Sequence, residues 1–139
     1  MYDNIYLDTA PIIYFLENNP HYALTVQQFI LLNALNHSQF TTSVITNIEY
    51  LPKPLQENKE DLAWAYKRFH KILNIKCVGV SEEISMTAVE LRVRYPHIKP
   101  LDSIHLATAI EVGCDAFLTN DKQLKQVAEL NVIYLDELK

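Results

Sequence analysis

Glycine is nearly absent from this chain: Gly79 and Gly113 are the only two in 139 residues. A loop that cradles phosphates with successive backbone amides needs several glycines close together, so nucleotide binding of that kind is excluded. Cysteine is as scarce. Cys77 and Cys114 lie far apart, form no C-x-x-C pair and sit among apolar neighbours. That pattern excludes a disulfide scaffold and predicts two buried, reduced thiols. No apolar run approaches the ~18 residues of a membrane span. The first residues lead almost directly into a short apolar strand, without the composition of a secretion signal. A cytoplasmic protein with no membrane attachment is therefore expected.

A basic balance is also lacking. The net charge is -5, whereas a protein that grips nucleic acid usually shows a basic surface. The charge is unevenly spread, however. Residues 53–99 hold nine basic and six acidic residues, and the rest of the chain holds three basic and eleven acidic. An acidic remainder is either a solvated surface or a set of carboxylates gathered to hold cations.

What is present is a regular alternation of strand and helix signals in a chain long enough for one domain, residues 1–139. Residues 4–7 are β-prone and end on Asp8, and Thr9-Ala10-Pro11 reads as an N-cap with proline in the first turn of a helix. Helices are predicted over residues 22–35, 44–51, 58–73 and 81–95, with strands over 39–42 and 76–78. Pro52-Lys53-Pro54 is expected to end the helix that holds Glu49. Residues 58–73 carry an apolar stripe of Leu62, Tyr66, Phe69 and Leu73, a face that could pair with a second copy.

The most informative stretch is residues 100–121. Asp102 opens an alanine-rich helix, small or apolar nearly all round and so expected to be wedged in the core. Gly113 closes it in the left-handed conformation that glycine adopts cheaply. A buried strand over 116–119 leads to Asp121. A helix over 122–130, a strand over 131–135 and a polar tail complete the chain. The pattern predicts an α/β fold: a three-layer sandwich with a mainly parallel sheet of four or five strands and helices on both faces.

Four acids punctuate this framework. In a parallel sheet the C-terminal ends of the strands share one edge, where ligands of open α/β sheets bind. Asp8 and Asp121 each follow a strand, and the helices bearing Glu49 and Asp102 can reach the same edge. Singly, each acid also reads as a helix-end residue, and Thr46-x-x-Glu49 matches a capping box. Together they are unstable without a cation, because neighbouring carboxylates raise one another's pKa. Oxygen-only ligands suit Mg²⁺ or Mn²⁺, which bridge phosphate oxygens and activate water for phosphodiester hydrolysis.

Tyr6-Leu7-Asp8-Thr9, Ser43-Val44-Ile45-Thr46-Asn47-Ile48-Glu49, Leu101-Asp102-Ser103-Ile104-His105-Leu106-Ala107-Thr108-Ala109 and Phe117-Leu118-Thr119-Asn120-Asp121 resemble the motifs of PIN-domain ribonucleases. The chain is similar in particular to the small single-domain toxins of toxin-antitoxin pairs, the VapC type, over nearly its whole length. The resemblance implies a metal-dependent endoribonuclease with Asp8, Glu49, Asp102 and Asp121 as catalytic and metal-holding acids. It also implies an RNA substrate, a cognate antitoxin and a homodimer.

Three further residues are accessory candidates. Thr9 and Thr119 flank site acids, as hydrogen-bond donors or as helix caps. His105 shares a helix face with Asp102 and is either a substrate contact or, the better reading, a packed histidine bonded to backbone. Tyr14, Tyr50, Trp64 and Tyr95 include at most one or two candidates for stacking on bases. Two competing readings remain. One is a PIN-like module that docks RNA or a protein without cutting. The other is phosphotransfer through Asp8, which the sequence disfavours: Ala10 stands where a D-x-D phosphatase needs its second acid, and the last strand lacks a receiver's lysine.

Overall fold

Strand β1 (Asn4–Leu7) forms the middle of a five-stranded sheet ordered β3-β2-β1-β4-β5, with every neighbouring pair parallel. The computed structural model describes residues 2–139. The other strands are β2 (Gln39–Ser43), β3 (Lys76–Val78), β4 (Ala116–Thr119) and β5 (Val132–Tyr134). Parallel neighbours require a crossover between strands, which is why helical segments fill the connections.

The helices are α1 (Thr9–Leu16), α2 (Ala23–Leu35), α3 (Ile45–Tyr50), α4 (Pro52–Gln56), α5 (Glu60–Ile72), α6 (Glu82–Arg94) and α7 (Pro100–Val112). Alternation along β1 divides the core in two. Ile5 and Leu7 pack with residues of α1, α2 and α5. Tyr6, with Phe117 of β4 and Val132 of β5, points to the opposite face, against α6 and α7. The expected three-layer sandwich is the observed architecture, with five strands.

Helix α7 is wedged in the core as its composition requires: Ser103, His105, Leu106, Ala107, Thr108 and Ala109 are all buried. Gly113 ends it at φ +83°, with its N–H bonded to the carbonyls of Ala109 and Ile110. The apolar stripe expected to pair with another copy is spent inside the chain, since Tyr66 and Phe69 of α5 are buried in the α1/α2 layer.

Local expectations fail in five places. Pro52-Lys53-Pro54 starts α4 instead of only ending α3, because proline is well tolerated in a first helical turn. Asp8, not Thr9, caps α1, accepting the Thr9 N–H at Oδ1. The helix expected over 122–130 is a single 3₁₀ segment, Lys122–Gln126, after which extended Val127 is buried in the core. The polar tail adds a second 3₁₀ turn, Leu135–Leu138. Cys114 is buried as expected, but Cys77 is exposed because β3 is an edge strand.

Replacing Gly113 by Ala should lower stability by about 1 kcal/mol, the cost of a Cβ in the left-handed region. Urea denaturation of Gly113→Ala checks it. No loss would mean that α7 can end in another conformation.

Candidate active site at the strand ends

The pairing of β1 with β4 sets the site. Tyr6 faces Phe117 and Leu7 faces Leu118, and the Asp8 N–H continues the ladder to the Leu118 carbonyl. Asp8 therefore stands beside Thr119, whose hydroxyl donates to Asp8 Oδ2 at 2.7 Å. The same Thr119 oxygen accepts the N–H of Asp121 at 3.1 Å. Asp121 Oδ1 in turn caps the 3₁₀ segment by accepting the Gln123 N–H. The helix-end reading of Asp121 thus holds in the structure alongside its place at the strand ends.

Glu49 reaches the same edge from α3. The expected capping box does not form: α3 starts two residues earlier than a Thr46 cap would set it, and buried Thr46 pairs its hydroxyl with that of Thr42. Ser43 Oγ accepts the Ile45 N–H at the helix start instead. Freed from a capping role, Glu49 Oε1 accepts the Thr9 hydroxyl at 2.7 Å and lies 2.6 Å from His105 Nε2. Burial alone would raise the Glu49 carboxyl, but the His105 and Thr9 hydrogen bonds hold it below its ordinary range.

Asp102 occupies the first turn of α7 without capping it, the N-cap being Lys99. Burial, followed by the charges of Asp8, Asp121 and Glu49, pushes its carboxyl up to about 6, with His105 acting in the opposite sense. Three of the predicted acids, Asp8, Asp121 and Glu49, therefore act electrostatically on the fourth. Among the described residues no Lys or Arg forms an ion pair with any of them. Nor do three or more His, Cys, Asp or Glu side chains converge, among the described residues, on one point where a metal ion could sit.

His105 is fully buried and bonds side chains, not backbone. Its Nδ1 is 2.6 Å from the Tyr6 hydroxyl, and its Nε2 is 3.3 Å from Thr9 Oγ1 and 3.7 Å from Asp8 Oδ1, besides the Glu49 contact. Burial would lower its pKa, but the Glu49 hydrogen bond and the charges of Asp8, Glu49 and Asp102 raise it. Tyr6 was missed by sequence reasoning. The available signal was a polar-tipped side chain between Ile5 and Leu7 on the central strand.

Of the aromatic candidates, Tyr50 is buried, Tyr14 accepts a hydrogen bond from Asn120 and stacks on Tyr22, and Tyr95 donates to Glu129. Trp64 is 61 % exposed, with the Arg68 guanidinium 4.9 Å from its ring centre.

A parallel α/β sheet with carboxylates grouped at the C-terminal ends of its central strands defines the class: an acidic-site α/β domain. The chain belongs to the PIN domain family, whose model matches residues 5–130. Among solved structures it is similar to a chain of VapBC2 from Rickettsia felis, bound to a DNA fragment from the pair's promoter. That match has a TM-score of 0.78 and 19% identity, and covers 94% of this chain and 98% of the other. It is also similar to a chain of DNA-bound VapBC from Salmonella typhimurium, with TM-score 0.73, 16% identity, and 96% and 98% covered. A toxin-antitoxin complex from Klebsiella pneumoniae gives 0.69, 21% identity, and 94% and 97% covered. No curated protein matches the chain in sequence. Among the described residues no helix is long and apolar enough to cross a membrane.

An acid whose folded pKa lies above its unfolded value destabilises the fold once ionised. For Asp102 that cost is absent below about pH 3.8 and complete above about pH 6. Asp102→Asn should therefore stabilise the metal-free protein at pH 8. The gain is about 1 kcal/mol after discounting for partial exposure, or roughly 3–5 °C in Tm. It should shrink toward zero at pH 4. Thermal melts in chelator at both pH values check this, and a pH-independent difference would contradict the charge crowding.

Proposed function

We propose that the chain is a metal-dependent endoribonuclease that hydrolyses RNA phosphodiester bonds and serves as the toxin of a toxin-antitoxin pair. The observation that carries the reading is Asp102: a carboxyl raised to about 6 by burial and by Asp8, Asp121 and Glu49, with no Lys or Arg paired to the group among the described residues. That surplus of negative charge, presented by oxygen donors alone, fits a hard divalent cation. Asp8, Glu49, Asp102 and Asp121 are the residues that would hold Mg²⁺ or Mn²⁺. When bound, such an ion lowers the pKa of a water and offsets charge on the scissile phosphate.

The protein's own groups supply the rest. Thr119 and the Thr9 N–H each give one hydrogen bond to Asp8, orienting it on the end of β1. Thr9 and His105 orient Glu49. The basic surplus over residues 53–99 offers phosphate contacts away from the acids, and Trp64 offers an exposed ring, with Arg68 over one face, for an unpaired base.

A protein partner is supported by the similarity to chains solved as toxin-antitoxin complexes. An apolar groove of about 270 Å³ between α1, α2 and α5, lined by Leu16, Leu31, Trp64 and Ile72 among others, is a surface an antitoxin could cover. The homodimer implied by the family belongs to the same reading.

Purified protein with Mg²⁺ or Mn²⁺ should cut single-stranded RNA, and Asp8→Asn or Asp102→Asn should each reduce cleavage about 100-fold or more while leaving circular dichroism unchanged. Full cleavage by both variants would sink the nuclease reading. Because the acids do not converge on one point, a non-cutting PIN-like module is the second reading. Calorimetry decides it: no Mn²⁺ binding by the wild-type protein favours the module.

A further inference from the structure

His105 is 0 % exposed on α7, one turn beyond Asp102. Each ring nitrogen has a short polar contact, Nδ1 with the Tyr6 hydroxyl and Nε2 with Glu49 Oε1, both at 2.6 Å. We propose that His105 is a positioning residue of the acidic site: its Nε2–H holds Oε1 of Glu49, and Tyr6 secures the ring from behind through Nδ1. The inference rests on the nuclease reading and deepens it, since Glu49 is one of the acids that reading assigns to the metal.

The direction of the hydrogen bond follows from the partner. Glu49 Oε1 already accepts the Thr9 hydroxyl and a carboxylate oxygen acts as an acceptor, so the proton in the contact belongs to Nε2. This holds whether the ring is neutral or cationic, because the Tyr6 hydroxyl can either donate to Nδ1 or accept from it. Thr9 donates to the same Oε1, so two donors converge on one oxygen of Glu49. Among the described residues no hydrogen bond engages Oε2, which leaves that oxygen for a ligand.

The rigidity comes from the sheet. Glu49 sits on a six-residue helix with a flexible side chain, whereas Tyr6 lies in the central strand, fully buried, its ring stacked on Phe117 at a centroid distance of 5.0 Å. Tyr6, His105 and Glu49 thus form a chain of hydrogen bonds from the buried middle of β1 to the strand-end edge. Partners of this kind fix the orientation of metal-binding carboxylates and tune their affinity.

Two substitutions separate positioning from simple core filling. The amide nitrogen of glutamine falls where Nε2 lies and can still donate to Glu49, while asparagine reaches only as far as Nδ1 and serves Tyr6 alone. His105→Asn should weaken Mn²⁺ binding by calorimetry, or kcat on a single-stranded RNA oligonucleotide, about 10- to 100-fold with little change in KM. His105→Gln should recover most of the loss. Equal losses in the two variants, or none in either, would overturn the proposal.

A measurement on the wild-type fold covers the case in which the variants do not fold. Nitrogen-15 NMR of the His105 imidazole should show a proton on Nε2 that exchanges slowly and becomes labile in Glu49→Ala. A ring protonated only at Nδ1 overturns the proposal. Wild-type protein that neither binds Mn²⁺ nor cuts RNA would refute the nuclease reading instead, and the NMR result would still decide whether His105 holds Glu49.

Discussion

Strand β1 has a parallel partner on each side, and the geometry of the site depends on that placement. The register with β4 brings Asp8 next to Thr119, and with it Asp121. The register with β2 sets where α3 begins and hence from which side Glu49 arrives. Alternation along the same four residues sends Ile5 and Leu7 to one helical layer and Tyr6 to the other. A one-residue slip would exchange those faces, bury the wrong side chains and separate the threonine from the aspartate it serves.

Gathering carboxylates at that edge has an electrostatic cost, and the fold meets part of it with hydrogen bonds. Asp8 receives the Thr119 hydroxyl and the Thr9 N–H, and Glu49 receives Thr9 and His105. Asp102 receives comparatively little help and rises to about 6. The four acids are thus unequal partners: Asp8 and Glu49 are stabilised by hydrogen bonds from the protein, while Asp102 is left to be balanced from outside. Such inequality among neighbouring acids is common where a site is shaped for a ligand rather than for stability.

Much of the fold was legible from the chain because parallel sheets bury their strands on both faces and need crossovers, so apolar runs alternate with helices in a readable order. The alanines of α7 announced a buried helix, and Gly113 announced its end. Two of the misreadings share a cause: a residue's local preference competed with a tertiary partner. Thr46 had the spacing of a capping box but was drawn to Thr42. Residues 122–130 had helical composition, yet burial of Leu124 and Val127 shortened the helix to a 3₁₀ segment.

The sequence by itself determined the class of fold, the order of its strands and helices, and the identity of four acids set at strand and helix ends, because these depend on periodicity and on spacing along the chain. Only the tertiary structure decided what those acids touch. His105 is the clearest case. Its helix position made a packed histidine reasonable, but neither Tyr6, 99 residues away, nor Glu49, 56 residues away, could be recognised as its partner until the sheet register and the packing of α7 brought the three together. Hydrogen bonds across such separations are fixed by how layers stack, which no local pattern records.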